Sequence, residues 1–341
     1  MSRARALELS AGCAATPREI ERVAREVGPE LAAWAFTQWT LRTKAERKFP
    51  LGHDWYLDRD GLEMASSLPV AAWHASLFPT GMPVADIGCG LGADLIALAR
   101  RGPAEGWEAD RTRAEYAAHN VQVAGTSATV TPGTCQPGGP YEGLWMDPMR
   151  RGGRDLRPDP HLFIPHAEAF AVKLSPLMPD AELQALAPGV RFVSYEGACL
   201  EAVLGSMFEG VAAYHIESGE TITQTPDPAT TGAPGTHIYE LDPAAVRAHA
   251  RGHWGLTQLG DHPGYLTGGA VPPSPWLKAF RVIQAFNPKK SPGPVQAIKK
   301  RGPTPAPETL ARQWGHDTKG PVALLWTTGR RVQAVLAERL D

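Results

Sequence analysis

Three glycines, Gly88, Gly90 and Gly92, follow a short apolar run ending in Asp86-Ile87, and an alanine- and leucine-rich segment opens at Asp94. The order reads as strand, tight turn, helix. Glycine serves where backbone must turn sharply and lie against a ligand, and a helix that follows directs unsatisfied N–H groups and its positive dipole end into the same space. That combination suits a polar or anionic group. A glycine turn can also do no more than pack a helix close to a strand, so its surroundings matter. The spacing is Gly-x-Gly-x-Gly, not the Gly-x-Gly-x-x-Gly of dinucleotide binders, and Asp86 stands two residues ahead of the first glycine. A second apolar stretch ends in Trp107-Glu108-Ala109-Asp110, far enough on for the next strand to finish beside the loop, where a carboxylate can accept both hydroxyl protons of a ribose.

The run Asp86-Ile87-Gly88-Cys89-Gly90-Leu91-Gly92, with Glu108 closing the second strand, resembles the motifs of class I S-adenosylmethionine-dependent methyltransferases. The resemblance implies an α/β fold with a Rossmann-like sheet and S-adenosyl-L-methionine as cofactor. It implies a cofactor-binding set of Asp86, Gly88, Cys89, Gly90, Gly92, Asp94, Glu108 and Ala109, the glycine loop lying against the methionine part and Glu108 on the ribose. In that family an acid or similar polar residue after the third strand often contacts the adenine. Here Pro132-Gly133-Thr134-Cys135 stands instead, so the contact falls to backbone groups or Thr134.

A fourth strand ends at Leu144-Trp145-Met146-Asp147-Pro148-Met149-Arg150-Arg151. Ligands in such sheets bind beyond the carboxyl ends of the strands, which puts Asp147 on the same crevice as Gly88 and Glu108. Asp-Pro can simply open a turn after a strand. In this fold, however, it resembles the Asp-Pro-Pro-aromatic motif of amino methyltransferases, with Met149 for the second proline and Arg150 for the aromatic. The resemblance implies that the Asp147 carboxylate and the Pro148 carbonyl accept the N–H bonds of an exocyclic amine and stabilise the charge that develops on transfer. Arg150, Arg151, Arg154 and Arg157 form a basic patch suited to phosphates. Lys173, at the end of a fifth strand (169–174), is either another phosphate contact or a solvated strand-end lysine.

The elements that must position these residues form a helical region (1–79), a methyltransferase domain (80–220), a linker (221–235) and an α+β domain (236–341). Thr16-Pro17-Arg18-Glu19 is a helix-start signature, Gly28-Pro29 ends that helix and starts another, and Trp34 and Trp39 fall on its packed face. The basic run 42–48 leads into Phe49 and Trp55-Tyr56, read either as a solvated face or as a cover for a cofactor or base. A single helical stretch from Gly61 to Phe78 follows. Strands at 191–196 and 211–216 are expected as a closing antiparallel pair, with Glu201 at the sheet's edge between them.

Charged residues make up 21% of the chain and the net charge is −2, so no global field points to nucleic acid or membrane. No apolar run reaches the length of a membrane span and no signal-like segment opens the chain, so a cytoplasmic location is expected. The cysteines, Cys13, Cys89, Cys135 and Cys199, show no metal-like spacing, and no metal is implied. From Pro288 to Asp341, ten basic residues face four acidic ones, a local net of +6. Such asymmetry marks either a nucleic-acid module or ordinary surface lysines.

The C-terminal region, through Tyr239-Glu240-Leu241-Asp242-Pro243, Tyr265-Leu266-Thr267, Phe280-Arg281-Val282 and Ile298-Lys299-Lys300-Arg301-Gly302, resembles the THUMP-like domain that follows a methyltransferase domain in a group of bacterial proteins. The same group carries elements like Lys48-Phe49, Gly61-Leu62-Glu63 and Asp147 to Arg151. The resemblance implies that RNA (tRNA or rRNA) is the partner, with Lys299, Lys300 and Arg301 joining Arg150, Arg151 and Lys173 in binding it. The leading expectation is methylation of a base amine in structured RNA. Two others stand beside it: a protein or small-molecule acceptor, and a non-catalytic RNA-binding or assembly factor retaining the fold.

Overall fold

The structure, a computed structural model, describes residues 2–50, 54–151 and 155–340. Helices α1 (Arg3–Ser10), α2 (Pro17–Val27), α3 (Pro29–Ala45), α4 (Arg59–Met64) and α5 (Leu68–Ser76) come first. Thr16 caps α2 by accepting from the Glu19 N–H, and Gly28, at φ +90°, lets the chain reverse into α3. The expected helix from Gly61 to Phe78 is two, α4 and α5, broken at Ala65–Ser67. Ser67 stands at the N-cap of α5, and a proline in its first turn favours a fresh helix start. The Lys48 ammonium donates to the carbonyls of Leu62, Glu63 and Ala65 at 2.8, 2.9 and 2.9 Å, satisfying acceptors that a helix end leaves unpaired. Phe49, Trp55 and Tyr56 are buried, Phe49 and Trp55 with ring centroids 4.6 Å apart. They are core, and the reading as a cover for a ligand is corrected.

The chain then alternates: β1 (Val84–Ile87), α6 (Ala93–Ala99), β2 (Ala104–Glu108), α7 (Arg111–Val123), β3 (Thr129–Pro132) and β4 (Tyr141–Met146). A short ribbon of β5 (Met149–Arg151) and β6 (Asp155–Arg157) follows, then α8 (Pro160–Phe163), a 3-10 turn and β7 (Ala167–Leu174). Strands β7-β4-β1-β2-β3 lie side by side and parallel. β1 is buried at every position and β4 over its last four, which is why both read as mainly apolar, Asp86 being the one charged residue at these positions. β2 and β3 extend the sheet on one side of β1 and β4 and β7 on the other, so β1 occupies the middle and its end opens onto the crevice where the strand order reverses.

The described residues fall into two compact units, Met1–Lys173 with Gly205–Met207, and Leu174–Leu204 with Phe208–Asp341. The second holds α9 (Asp180–Leu186), β8 (Gly189–Tyr195), most of β9 (Ala198–Gly205), β10 (Gly210–His215), β11 (Thr221–Thr223), β12 (Thr230–Thr231), β13 (His237–Leu241) and α10 (Pro243–Arg247). It continues with β14 (Thr257–Leu259), β15 (Tyr265–Gly268), β16 (Leu277–Phe286), β17 (Ala297–Lys300), α11 (Pro307–Trp314), β18 (Val322–Thr328) and β19 (Arg331–Arg339). Eight of these strands form a sheet in the order β12-β14-β15-β13-β16-β19-β18-β17 around Ile238, Tyr265, Phe280, Leu324 and Trp326.

Two further expectations are corrected in this unit. The strands at 191–196 and 211–216, β8 and β10, pair parallel; the antiparallel partner of β8 is β9, with Glu201 buried inside it rather than at an edge between strands. Glu196 and Gly197 both have positive φ, the two-residue turn that suits a tight hairpin. The segment 221–235 is not structureless: β11 pairs with β10, and β12 with β14.

Candidate active site

The carboxyl ends of β2, β1 and β4 carry Glu108, the glycine loop and Asp147. Gly88, Gly90 and Gly92 have φ of +91°, +59° and +87°. The N–H groups of Gly88 and Cys89 both donate to the Trp107 carbonyl, at 2.9 and 3.0 Å, which folds the loop back onto β2. A Cβ at Gly88 would lie 3.3 Å from the Asp147 carbonyl oxygen, so the residue after β4 crosses directly against the loop. Gly88→Ala is therefore strained in its backbone and crowded at its side chain. We expect a loss of about 1–3 kcal/mol, read as a lower midpoint in urea unfolding.

Glu108 is buried and uses both oxygens on backbone: one accepts from Gly90 at 3.0 Å, the other from Asp110 at 2.9 Å. Each oxygen keeps a second lone-pair direction for an external hydroxyl. Asp86 is fully buried, and neither of its carboxylate oxygens has a partner among the described residues. Burial, then the charges of Asp94, Asp147 and Glu108, push its carboxyl well above the usual range. A buried acid left this way is an exception among buried polar groups, which are nearly always hydrogen-bonded.

Asp94, in the first turn of α6, does not face outward. Its carboxylate holds His74 Nδ1 at 2.7 Å and Ser66 Oγ at 2.9 Å, and His74 packs on the Trp145 ring at 4.2 Å. Burial alone would raise the Asp94 carboxyl; the charge and hydrogen bond of His74, with Lys173 and Ser66, hold it below the usual range. Through these contacts Asp94 ties the start of α6 to Ser66 and to His74 on α5. The Cys89 side chain is turned inward: its buried thiol lies 3.0 Å from where a Cβ at Gly106 on β2 would sit. Ala109 and Thr134 are exposed, one directly after Glu108 and the other after Gly133, whose N–H donates to the Glu108 carbonyl at 2.8 Å.

Lys173, at the end of β7, departs from the expected phosphate contact. Its ammonium lies 2.6 Å from Asp147 Oδ2 and 3.3 Å from the Met64 carbonyl, with 14% of the side chain exposed. The side chains of Arg150 and Arg151, and all of Arg154, lie outside the described residues. In the second unit Lys299 and Arg301 share Glu240, at 2.7 and 3.2 Å, and Lys300 donates to the Thr304 carbonyl. One carboxylate offsets half of the Lys299 and Arg301 charge, so the expected phosphate role of this triplet is reduced. Exposed cations described in that unit include Lys278, Arg281, Lys289, Lys290, Arg312, Lys319, Arg330, Arg331 and Arg339.

Sequence reasoning missed the support. Asn120, on the buried face of α7, exchanges hydrogen bonds with both backbone groups of Tyr56 and donates to the Leu91 carbonyl at 2.9 Å. Gln38 pairs in the same way with Leu57, and Arg113 reaches Asp58 with two nitrogens at 3.0 Å. Residues 56–66 are thereby pinned across the glycine loop. The one available signal was polar residues on otherwise apolar helix faces: Gln38 on α3, His74 on α5 and Asn120 on α7.

A solved structure from Porphyromonas gingivalis W83, described as a candidate methyltransferase, superposes over 99% of this chain and 94% of its own with a TM-score of 0.71 at 20% identity. The chain has the Rossmann-like methyltransferase fold. Partial likenesses include a 16S rRNA N2 G1207 methyltransferase of T. thermophilus solved with AdoMet and guanosine (TM-score 0.32, 17% identity, 43% of this chain and 42% of that one). A Pyrococcus abyssi tRNA (uracil-54, C5)-methyltransferase with S-adenosyl-L-homocysteine gives 0.26 at 16% identity over 32% and 28%. No protein-family model matches the chain, and neither does any curated protein. Among the described residues no helix is long and apolar enough to cross a membrane, and no three His, Cys, Asp or Glu side chains are grouped to hold a metal ion.

Proposed function

We propose that the protein is an S-adenosylmethionine-dependent methyltransferase that acts on a base amine of structured RNA. The observation that carries the reading is the meeting of Glu108, the glycine loop and Asp147 at the ends of three adjacent parallel strands, beside the partnerless carboxylate of Asp86. These groups fit the cofactor: Glu108 has lone pairs left for the ribose hydroxyls, and the loop from Gly88 to Gly92 has no side chain but those of Cys89 and Leu91, both buried. Ala109 and Thr134 border the adenine side. The cofactor, when bound, supplies an electrophilic methyl group on a sulfonium. The chain's own task is to hold the acceptor in line. Asp147 and the Pro148 carbonyl accept the amine's N–H bonds, and the amine gives up one proton for the methyl it gains.

The RNA part of the reading rests on the basic residues of 288–341 and on the arginines that follow Asp147. In it, residues 80–220 are the catalytic domain and 236–341 a THUMP-like module giving sequence-independent affinity. Incubation with labelled cofactor and total RNA from cells lacking the protein, followed by nucleoside mass spectrometry, tests it. A labelled methylated base in tRNA or rRNA is the expected result, and label confined to protein or small molecules sinks the RNA assignment. RNA retention should also fall by at least about tenfold between low and physiological salt, since phosphate contacts release counterions.

A further inference from the structure

We propose that the second unit holds a binding site for a nucleoside phosphate, in which Lys278, Lys299 and Arg301 take the phosphate and the ring of His215 faces the base. All of these residues belong to that unit, and none lines the glycine-loop crevice. They border a cavity of about 360 Å³, within the range of small-molecule sites. Glu240, its side chain 12% exposed, is the anchor: Lys299 Nζ reaches one oxygen at 2.7 Å and an Arg301 nitrogen the other at 3.2 Å. Arg301 is fixed further by donating to the Lys300 carbonyl at 2.9 Å and by the Tyr265 ring against its guanidinium. Both cations are therefore ordered before a ligand arrives, and both keep N–H groups to donate.

Two cations on one carboxylate leave a single net charge. Lys278 stands opposite Glu240 on the paired strand β16, so the two share a face, and three cations against one carboxylate give a net of +2. Lys278 forms no ion pair among the described residues; its Nζ lies 2.9 Å from where a Cβ at Gly197 would sit, against the turn between β8 and β9. A phosphate monoester near neutral pH carries about −1.5 to −2, the matching charge, where a diester carries about −1. Of the other acids in the lining, Asp242 accepts from Ser194 Oγ and the Ala244 N–H, Glu217 accepts from the Glu196 N–H and lies 3.4 Å from His215 Nδ1, and Glu196 is exposed at the turn. The His215 ring meets that of Trp276 edge-on at 5.3 Å, and with Pro243 and Pro275 they give a flat, weakly polar surface on which a base can lie.

Binding to the full chain tests the site, without turnover. One pair of probes is each common ribonucleoside 5′-monophosphate beside its nucleoside, measured by calorimetry; the other is a short single-stranded RNA with a 5′-phosphate beside the same RNA with a 5′-hydroxyl. The phosphorylated member should bind at least about tenfold more tightly, and Lys278→Gln should remove most of that difference, because a charge-assisted contact to the phosphate is lost. A preference in the RNA pair assigns the site to an RNA end, and a preference in the mononucleotide pair alone assigns it to a free nucleotide. A phosphate preference in neither pair, or one that survives in Lys278→Gln, overturns the inference.

Discussion

Replacing Asp147 with alanine should leave the affinity for S-adenosylhomocysteine nearly unchanged while slowing methyl transfer on the order of a hundredfold or more. The ribose and the glycine loop depend on Glu108 and on backbone N–H groups, none of which involve the Asp147 side chain. What the variant loses is the acceptor for the amine's N–H bonds, which matters most when the nitrogen turns pyramidal and positive. Single-turnover transfer to RNA, beside calorimetry with the demethylated cofactor, separates the two effects. Transfer within about threefold of wild type would remove Asp147 from the chemistry, since a preorganised acceptor is worth far more than that.

His74→Ala should cost about 3–5 kcal/mol of folding stability, the largest effect expected of any single change considered for this chain. The Asp94 residue is 8% exposed and, among the described residues, would keep Ser66 as its one side-chain hydrogen-bond partner. Breaking a buried pair from one side leaves a charge without compensation, which is more damaging than never having had the pair. The pH dependence has a defined sign. Asp94 is held below the usual aspartate range in the folded chain, so its contribution is present above the unfolded value and is lost as pH falls through the folded one. In His74→Ala the depression is gone, and the acid-side loss of stability should be shallower. Urea unfolding at several pH values between about 3 and 7 measures both; an unchanged midpoint at neutral pH would show that Asp94 finds another partner.

The chemistry-bearing loop was legible in the sequence because backbone geometry is written in residue type. Positive φ at three positions demands glycine, and a strand buried on both faces favours apolar residues, so the frame of Val84 to Gly92 reads clearly, with Asp86 the one departure from it. The partners of the charged residues were not legible. Lys173 at a strand end and Lys299 beside Arg301 carry the same letters whether they meet phosphate or a carboxylate; only the fold brings Asp147 and Glu240 within reach. The hairpin of β8 and β9 was missed for a different reason. Leu200 to Leu204 is a short run without clear alternation, and its turn signal, Glu196-Gly197, is weaker than Asn-Gly or Asp-Gly. The break at Ala65–Ser67 was masked because Leu62, Val70 and Ala71 all suit a helix interior, and the stop is made by Lys48, distant in sequence.

The pinning of residues 56–66 across the glycine loop bears on how this protein can be cut. A fragment begun at residue 80, where the alternating pattern of strands and helices starts, would strip Asn120 of both its bonds to Tyr56, leave the Asp94 carboxylate without His74 or Ser66, and bare Leu91 to water. The smallest piece able to keep the nucleotide crevice in shape has to begin upstream of Gln38, and any library of truncations built on the contiguous sheet alone would select against the very loop it sets out to isolate.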